Sequence, residues 1–313
     1  MNHNPNLFIV GAAKAGTTSL YNYLDMHKDV YMSPIKEPHF FSKDIRHSTF
    51  THKGASKVSI DMKKYLAKEI LEKRHIEFIE NFDDYIELYR DVKNEKIIGE
   101  ISTGYLFSNV AAEEIYNFNP DAKIIFVLRN PIERAFSHWL MDLRGNGVCR
   151  SSFLNAVEED QCKEDKGWGK SHLYIELGLY YQQVKRYFDI FPREQLLVLL
   201  FDDMKTNPEL FYKSIYSFLN IEHMKMNTTQ KHNQASILKY PFTNLIVKKI
   251  KLNLIVSKLL PVNVIKFFKN ILLTNESLPK LTTEEREELL EYFEEDIKKL
   301  EKLIDKDLSV WLK

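Results

Sequence analysis

The stretch FIVGAAKAGTTSL, residues 8–20, decides how the chain is read. The apolar run LFIVG ends in Gly11, a second glycine stands at Gly16, and TTSLYNYLDMH then places Leu20, Tyr23 and Leu24 at helical spacing. Strand, glycine loop and helix in this order make an anion nest. The backbone N–H groups of the loop and helix start converge, and the helix dipole favours negative charge there. A nucleoside-triphosphate loop reads G-x-x-x-x-G-K-[ST]. Here Thr17 stands where that lysine belongs, and the lysine is Lys14, inside the loop.

Working outward, KIIFVLRN (123–130) is a near-continuous apolar run of the kind a strand buried on both faces shows, followed by Pro131 and a helical pattern to about Arg144. IIGEIS (97–102) and QLLVLLFDD (195–203) read as further buried strands, each followed by a helix. Alternating strands and helices predict an α/β fold, P-loop-like and three-layered, with a central parallel sheet flanked by helices and ligands at the carboxyl ends of the strands. A C-terminal helical segment follows, with TTEEREELLEYFEEDIKKLEKL (282–303) as an amphipathic helix capped by Thr282 or Thr283. Residues 43–75 read as a loop-rich insertion before a short helix near 81–91, and 222–241 as a long loop. Residues 1–313 are expected to form a single domain that includes this loop and the tail 242–313.

Forty-four basic residues balance forty-four acidic ones, so no global field draws the chain to nucleic acid, and any anion is held locally. Two cysteines, Cys149 and Cys162, are too few for a disulfide framework and fit a reduced, intracellular setting. MNHNPNLFIVG lacks the charged and long apolar regions of a signal peptide, and no apolar run approaches a membrane span; the expectation is a soluble, cytoplasmic protein. The basic and apolar stretch 245–272 reads as helices packed on the sheet or, alternatively, as a peripheral contact with a membrane surface.

A magnesium-dependent triphosphate enzyme would offer a carboxylate at the end of a second strand, whereas KIIFVLR ends in Arg129. Lys14 with its loop and Arg129 with the following helix therefore form two separated cationic sites. They match a nucleotide phosphorylated at two distant positions and used without a metal.

GAAKAGTTSLYNYLDMHKDVYMSPIKEPHFF and FVLRNPIERAFSHW resemble the two nucleotide motifs of the 3′-phosphoadenosine-5′-phosphosulfate (PAPS) sulfotransferases, most closely the carbohydrate branch with its heparan-sulfate-type and bacterial members. The similarity continues through GEISTGYL, through the segment from LGLYYQQVKRYF to SFLNI, and to DIKKLEKLIDKDLSVWL. It implies transfer of a sulfuryl group from PAPS to a hydroxyl, less readily an amine, of a carbohydrate or glycolipid-like acceptor. Adenosine 3′,5′-diphosphate would be the product, and no metal is required. By the resemblance, Lys14 contacts the bridging oxygen of the departing phosphate, and Ala15, Gly16, Thr17, Thr18 and Ser19 surround the 5′ end. Arg129 and Ser137 match the pair that holds the 3′-phosphate. Glu37 matches the proposed general base, Lys36 touches the sulfuryl group or tunes that carboxylate, and His39 is the competing base.

The pattern also departs from the family. Many relatives have a lysine in the segment matching GEISTGYL, where Ile101 stands here, and no cysteine lies between 222 and 241 to form the disulfide of the animal heparan enzymes. A cation of that last loop is expected at Lys239, with Lys231 as the other counterpart. Two other functions fit the loop: a kinase-like phosphotransferase, which requires magnesium and ATP, and an inactive nucleotide-binding scaffold. Arg134 and His138, on the same helix as Ser137, read as structural or solvent-facing.

Overall fold

The computed structural model describes residues 4–51, 60–144, 151–224, 237–238, 273–274 and 279–313. Its centre is a five-stranded parallel sheet built from β1 (Leu7–Gly11), β2 (Val30–Met32), β5 (Ile97–Ile101), β6 (Lys123–Leu128) and β7 (Leu196–Leu200), in the order β2-β5-β1-β6-β7. Two further three-residue strands, β3 (Ile35–Glu37) and β4 (Arg74–Ile76), pair in parallel as a small second sheet. The helices are α1 (Thr17–Asp25), α2 (Met62–Leu66), α3 (Phe82–Glu87), α4 (Gly104–Phe107), α5 (Ala111–Phe118) and α6 (Pro131–Arg144). After them come α7 (Phe153–Gln161), α8 (Tyr180–Phe188), α9 (Phe201–Thr206), α10 (Pro208–Leu219) and α11 (Thr283–Ile304).

The central strands carry almost no polar residues because both of their faces are covered. Phe8, Ile9, Val10 and Ile124 through Leu128 are fully buried, as a parallel sheet flanked by helices requires. β1 sits in the middle, with Leu7 in register with Gly99 on one side and Lys123 on the other. The chain order reverses at β1, so its carboxyl end opens a crevice between the ends of β5 and β6.

α11 buries Leu289, Phe293, Ile297, Leu300 and Ile304 along one stripe and joins the same core. Thr282 is its N-cap, in a reciprocal capping box with Glu285. Past α11 the backbone carbonyl of Trp311 accepts from Asn130 Nδ2 at 3.4 Å, which ties the end of the described chain to the junction of β6 and α6.

Glu37 lies on a strand, and the insertion expected as loop supplies that strand's partner, β4, and α2. Lys239, Lys231 and the basic stretch 245–272 fall outside the described residues. Among the described residues no helix is long and apolar enough to cross a membrane.

Candidate active site

The loop after β1 is the floor of the crevice. Gly16 has φ 81, and a Cβ there would stand 2.6 Å from the Phe201 ring, so both backbone and space call for glycine. Lys14 adopts φ 70, and its backbone carbonyl accepts from Arg129 Nη1 at 3.1 Å. Its ammonium lies 3.4 Å from Met141 Sδ on α6. Ala15 is fully buried beneath the loop. Thr17 is buried, Thr18 and Ser19 are half-buried, and all three belong to the first turn of α1, where the Ser19 N–H donates to the Gly16 carbonyl at 3.0 Å and the helix start favours an outside anion.

Arg129 follows β6 directly. Besides Lys14 it reaches Glu133 at 3.4 Å and lies 4.9 Å from the centre of the Phe201 ring, a cation–π contact. Glu133, Ser137 and Met141 succeed one another at four-residue spacing on α6 and so share one stripe. Ser137 is half-buried and stands between the partner of Arg129 and the contact of Lys14.

The acid–base groups come from β3 and the turn beyond it. Lys36 and Glu37 are both buried, with Nζ 2.6 Å from Oε1 and side chains only 5% and 6% exposed. The other carboxylate oxygen accepts from Thr103 Oγ1 at 2.7 Å and faces His39 Nε2 at 3.5 Å. Burial alone would push the Glu37 carboxyl up, but the hydrogen bond from His39 and the adjacent Lys36 ammonium outweigh it and hold the carboxyl well below the usual range. His39 has φ 54 and its ring stacks on Phe78 with centroids 4.4 Å apart. Its backbone N–H donates to Ser102 Oγ, whose own N–H donates to the carbonyl of Ile9, which fixes this turn to the central strand. Trp168 closes the outer side, 5.8 Å from the His39 ring and 6.2 Å from Phe107.

His75, exposed on β4, has its imidazole held below the usual value by desolvation and by the Lys36 ammonium. Behind the site Arg134 is fully buried, as a structural role requires, and donates to the carbonyl of Tyr174. Burial lowers His138 far below the ordinary imidazole value, with Asp142 on the next turn 3.7 Å away.

Thr103, His75, Glu133, Met141 and Trp168 are contacts that the sequence reading did not single out. Thr103 carried a usable signal, a hydroxyl just past a buried strand at the sheet's carboxyl edge. The others are single residues whose partners are distant in sequence. Among the described residues no group of three or more His, Cys, Asp or Glu side chains is placed to hold a metal ion.

The sulfotransferase family model matches residues 5–225. A crystal structure of a sulfotransferase from Alicyclobacillus acidocaldarius is similar at 30% sequence identity and a TM-score of 0.70, covering 99% of each chain. Mouse carbohydrate sulfotransferase 15 is 24% identical over 273 residues, covering 77% of this chain and 47% of the relative. Mouse heparan sulfate glucosamine 3-O-sulfotransferase 6 is 23% identical over 228 residues, covering 73% of this chain and 55% of the relative. The chain thus spans about half the length of the curated relatives it matches. With the family's segment covering the loop, the KEPHFF strand and the Arg129 helix, and with a 30%-identical relative aligned end to end, the chain belongs to the sulfotransferase family.

Proposed function

We propose that the chain transfers a sulfuryl group from PAPS to a hydroxyl, less readily an amine, of a carbohydrate or glycolipid-like acceptor. The observation that carries this reading is that the Lys14 loop follows β1 while Thr103, which donates to Glu37 at 2.7 Å, follows the neighbouring strand β5, with the Ser102 N–H bonded to the Ile9 carbonyl at 3.1 Å between them. A cation suited to a leaving phosphate and a carboxylate suited to a proton are thus held beside the carboxyl ends of adjacent strands.

The residues fit the donor. The Gly16 cradle is one that a Cβ would fill, Lys14 and Arg129 supply separated cations, and Arg129 Nε is buried with no hydrogen-bond partner among the described residues. When bound, the donor supplies an activated sulfuryl group and a diphosphate leaving group. Lys14 and the start of α1 stabilise the negative charge that grows on the phosphate side, a preorganised electrostatic contribution. Glu37 accepts the acceptor's proton. While Lys36 rests on Glu37 that carboxylate is a weak base, so movement of Lys36 towards the sulfuryl group would strengthen it. Trp168 and the half-buried Phe50 form the acceptor-side wall, where Gly169, with φ +76, is pressed against the Phe50 ring. The similarity to enzymes named for carbohydrates supports a sugar acceptor.

Labelled-sulfate transfer from PAPS to a panel of saccharides and glycolipids, run beside Lys14→Ala, tests the reading. The expected result is transfer by the parent, a loss of about 10²-fold or more in kcat for the variant, and an unchanged melting temperature. Transfer by Lys14→Ala at the parental rate overturns the role of Lys14. Tight nucleotide binding without transfer to any acceptor favours a scaffold instead.

A further inference from the structure

Glu133, in the first turn of α6, receives three cations from three elements. Arg129 approaches Oε2 at 3.4 Å, Lys205 of α9 approaches the same oxygen at 3.9 Å, and Arg286 of α11 approaches Oε1 at 3.6 Å. Charge-assisted N–H···O contacts normally close to about 2.7–2.9 Å, and none of these does. The cations are held apart by other contacts. Arg129 is bonded to the Lys14 carbonyl and lies over the Phe201 ring, while Lys205 lies 4.4 Å from the same ring and 3.2 Å from Asp202. Arg286 is carried by a helix whose stripe is buried in the core. The three cations therefore approach Glu133 from different sides without closing on it. With Asp202 included, three cations face two carboxylates, and the cluster keeps a net positive charge.

We propose that Glu133 is an internal stand-in for a phosphate monoester dianion. Lys205 and Arg286 join Arg129 in holding the nucleotide's second phosphate, and Glu133 is the anion that binding displaces. This rests on the donor reading above. A phosphate, with three terminal oxygens and up to two charges, matches the spread of the three cations better than a carboxylate does. The buried Nε of Arg129, which has no hydrogen-bond acceptor among the described residues, points the same way. The cluster also adjoins the first phosphate's loop, because Phe201, which bears both Arg129 and Lys205, packs against Gly16. An internal competitor weakens donor and product alike, since both retain this phosphate, and it hastens product release.

Calorimetric titration of the full chain with adenosine 3′,5′-diphosphate and with adenosine 5′-monophosphate tests this. Lys205→Ala and Arg286→Ala are each expected to weaken binding of the diphosphate about tenfold while leaving the monophosphate unchanged, and Arg286→Lys to keep most of the affinity. Glu133→Gln is expected to tighten the diphosphate about fivefold and again leave the monophosphate unchanged. Equal shifts for both nucleotides, or no shift in any variant, overturn the assignment. If the parent protein binds neither nucleotide, or both equally, the donor reading fails and the cluster's role falls with it.

Discussion

At the scale of single residues, Glu37 is the side chain whose chemistry depends most on its neighbours. A carboxylate paired with Lys36 and facing His39 and Thr103 holds its proton weakly, so the acid limb of the rate profile should lie below the usual carboxylate range. Removing the ammonium in Lys36→Met takes away a contact that favours the charged form, and the pKa of Glu37 rises. The expected outcome is an acid limb of kcat/KM displaced to higher pH. Beside it, Glu37→Gln should lose transfer by about 10²- to 10⁴-fold and His39→Ala by less. The same pH–rate series separates the bases, because a severe loss confined to the histidine variant assigns the proton transfer to His39. That second reading draws on the same geometry, in which Glu37 would orient the imidazole from 3.5 Å.

At the scale of elements, the segment 167–172 is held to Thr51 by a backbone hydrogen bond from Thr51 to Gly169 at 3.1 Å, on the side proposed above for the acceptor. Trp168 projects from it beside His39 and Phe107, and an aromatic face of this kind contributes about 0.5–1.5 kcal/mol to a contact beyond its burial. Trp168→Ala should raise the acceptor KM roughly tenfold while the nucleotide Kd stays as it was, measured by initial rates and by titration. A matching loss of nucleotide affinity would move Trp168 to the donor side. The long strands were legible because their apolar runs have no competing explanation, and α11 because its spacing and cap agree. β3 and β4 were not, since three residues are too few to show a period, and a buried Lys-Glu pair contradicts the apolar pattern that marks a core strand. Glu37 was singled out through its motif, whereas its strand partner β4 and the bond from Thr103 appear only when the chain is folded.

For the whole molecule, the sheet and α11 share one core, but that core contains a carboxyl. Glu100 on β5 is fully buried beside Tyr85, Tyr89 and Tyr105, and accepts from the Tyr105 hydroxyl at 2.9 Å. Burial outweighs these hydroxyls and pushes its pKa up to about 8. A carboxyl whose folded value is raised contributes stability that is fully present below the unfolded value of about 4.3 and is lost as pH rises through the folded one. The melting temperature should therefore fall between about pH 4 and 8 and level off above that, and Glu100→Gln, neutral throughout, should flatten that slope in a thermal-unfolding series. An unchanged slope would place the titration elsewhere. Adjacent residues on β5 and in its loop serve two ends: Glu100 faces the tyrosines of the core while Ser102 and Thr103 hold His39 and Glu37.

The single bond from Arg129 to the carbonyl of Lys14 has a consequence for discrimination among nucleotides. On the donor reading proposed above, it would make the loop's conformation depend on the group that the arginine also serves, so that the two ends of the ligand would be read as a conjunction and not as two separate marks. Cellular nucleotides that carry only one of the two phosphates would then forfeit more than that phosphate's own contacts. Selectivity against abundant adenylates would arise from this non-additivity.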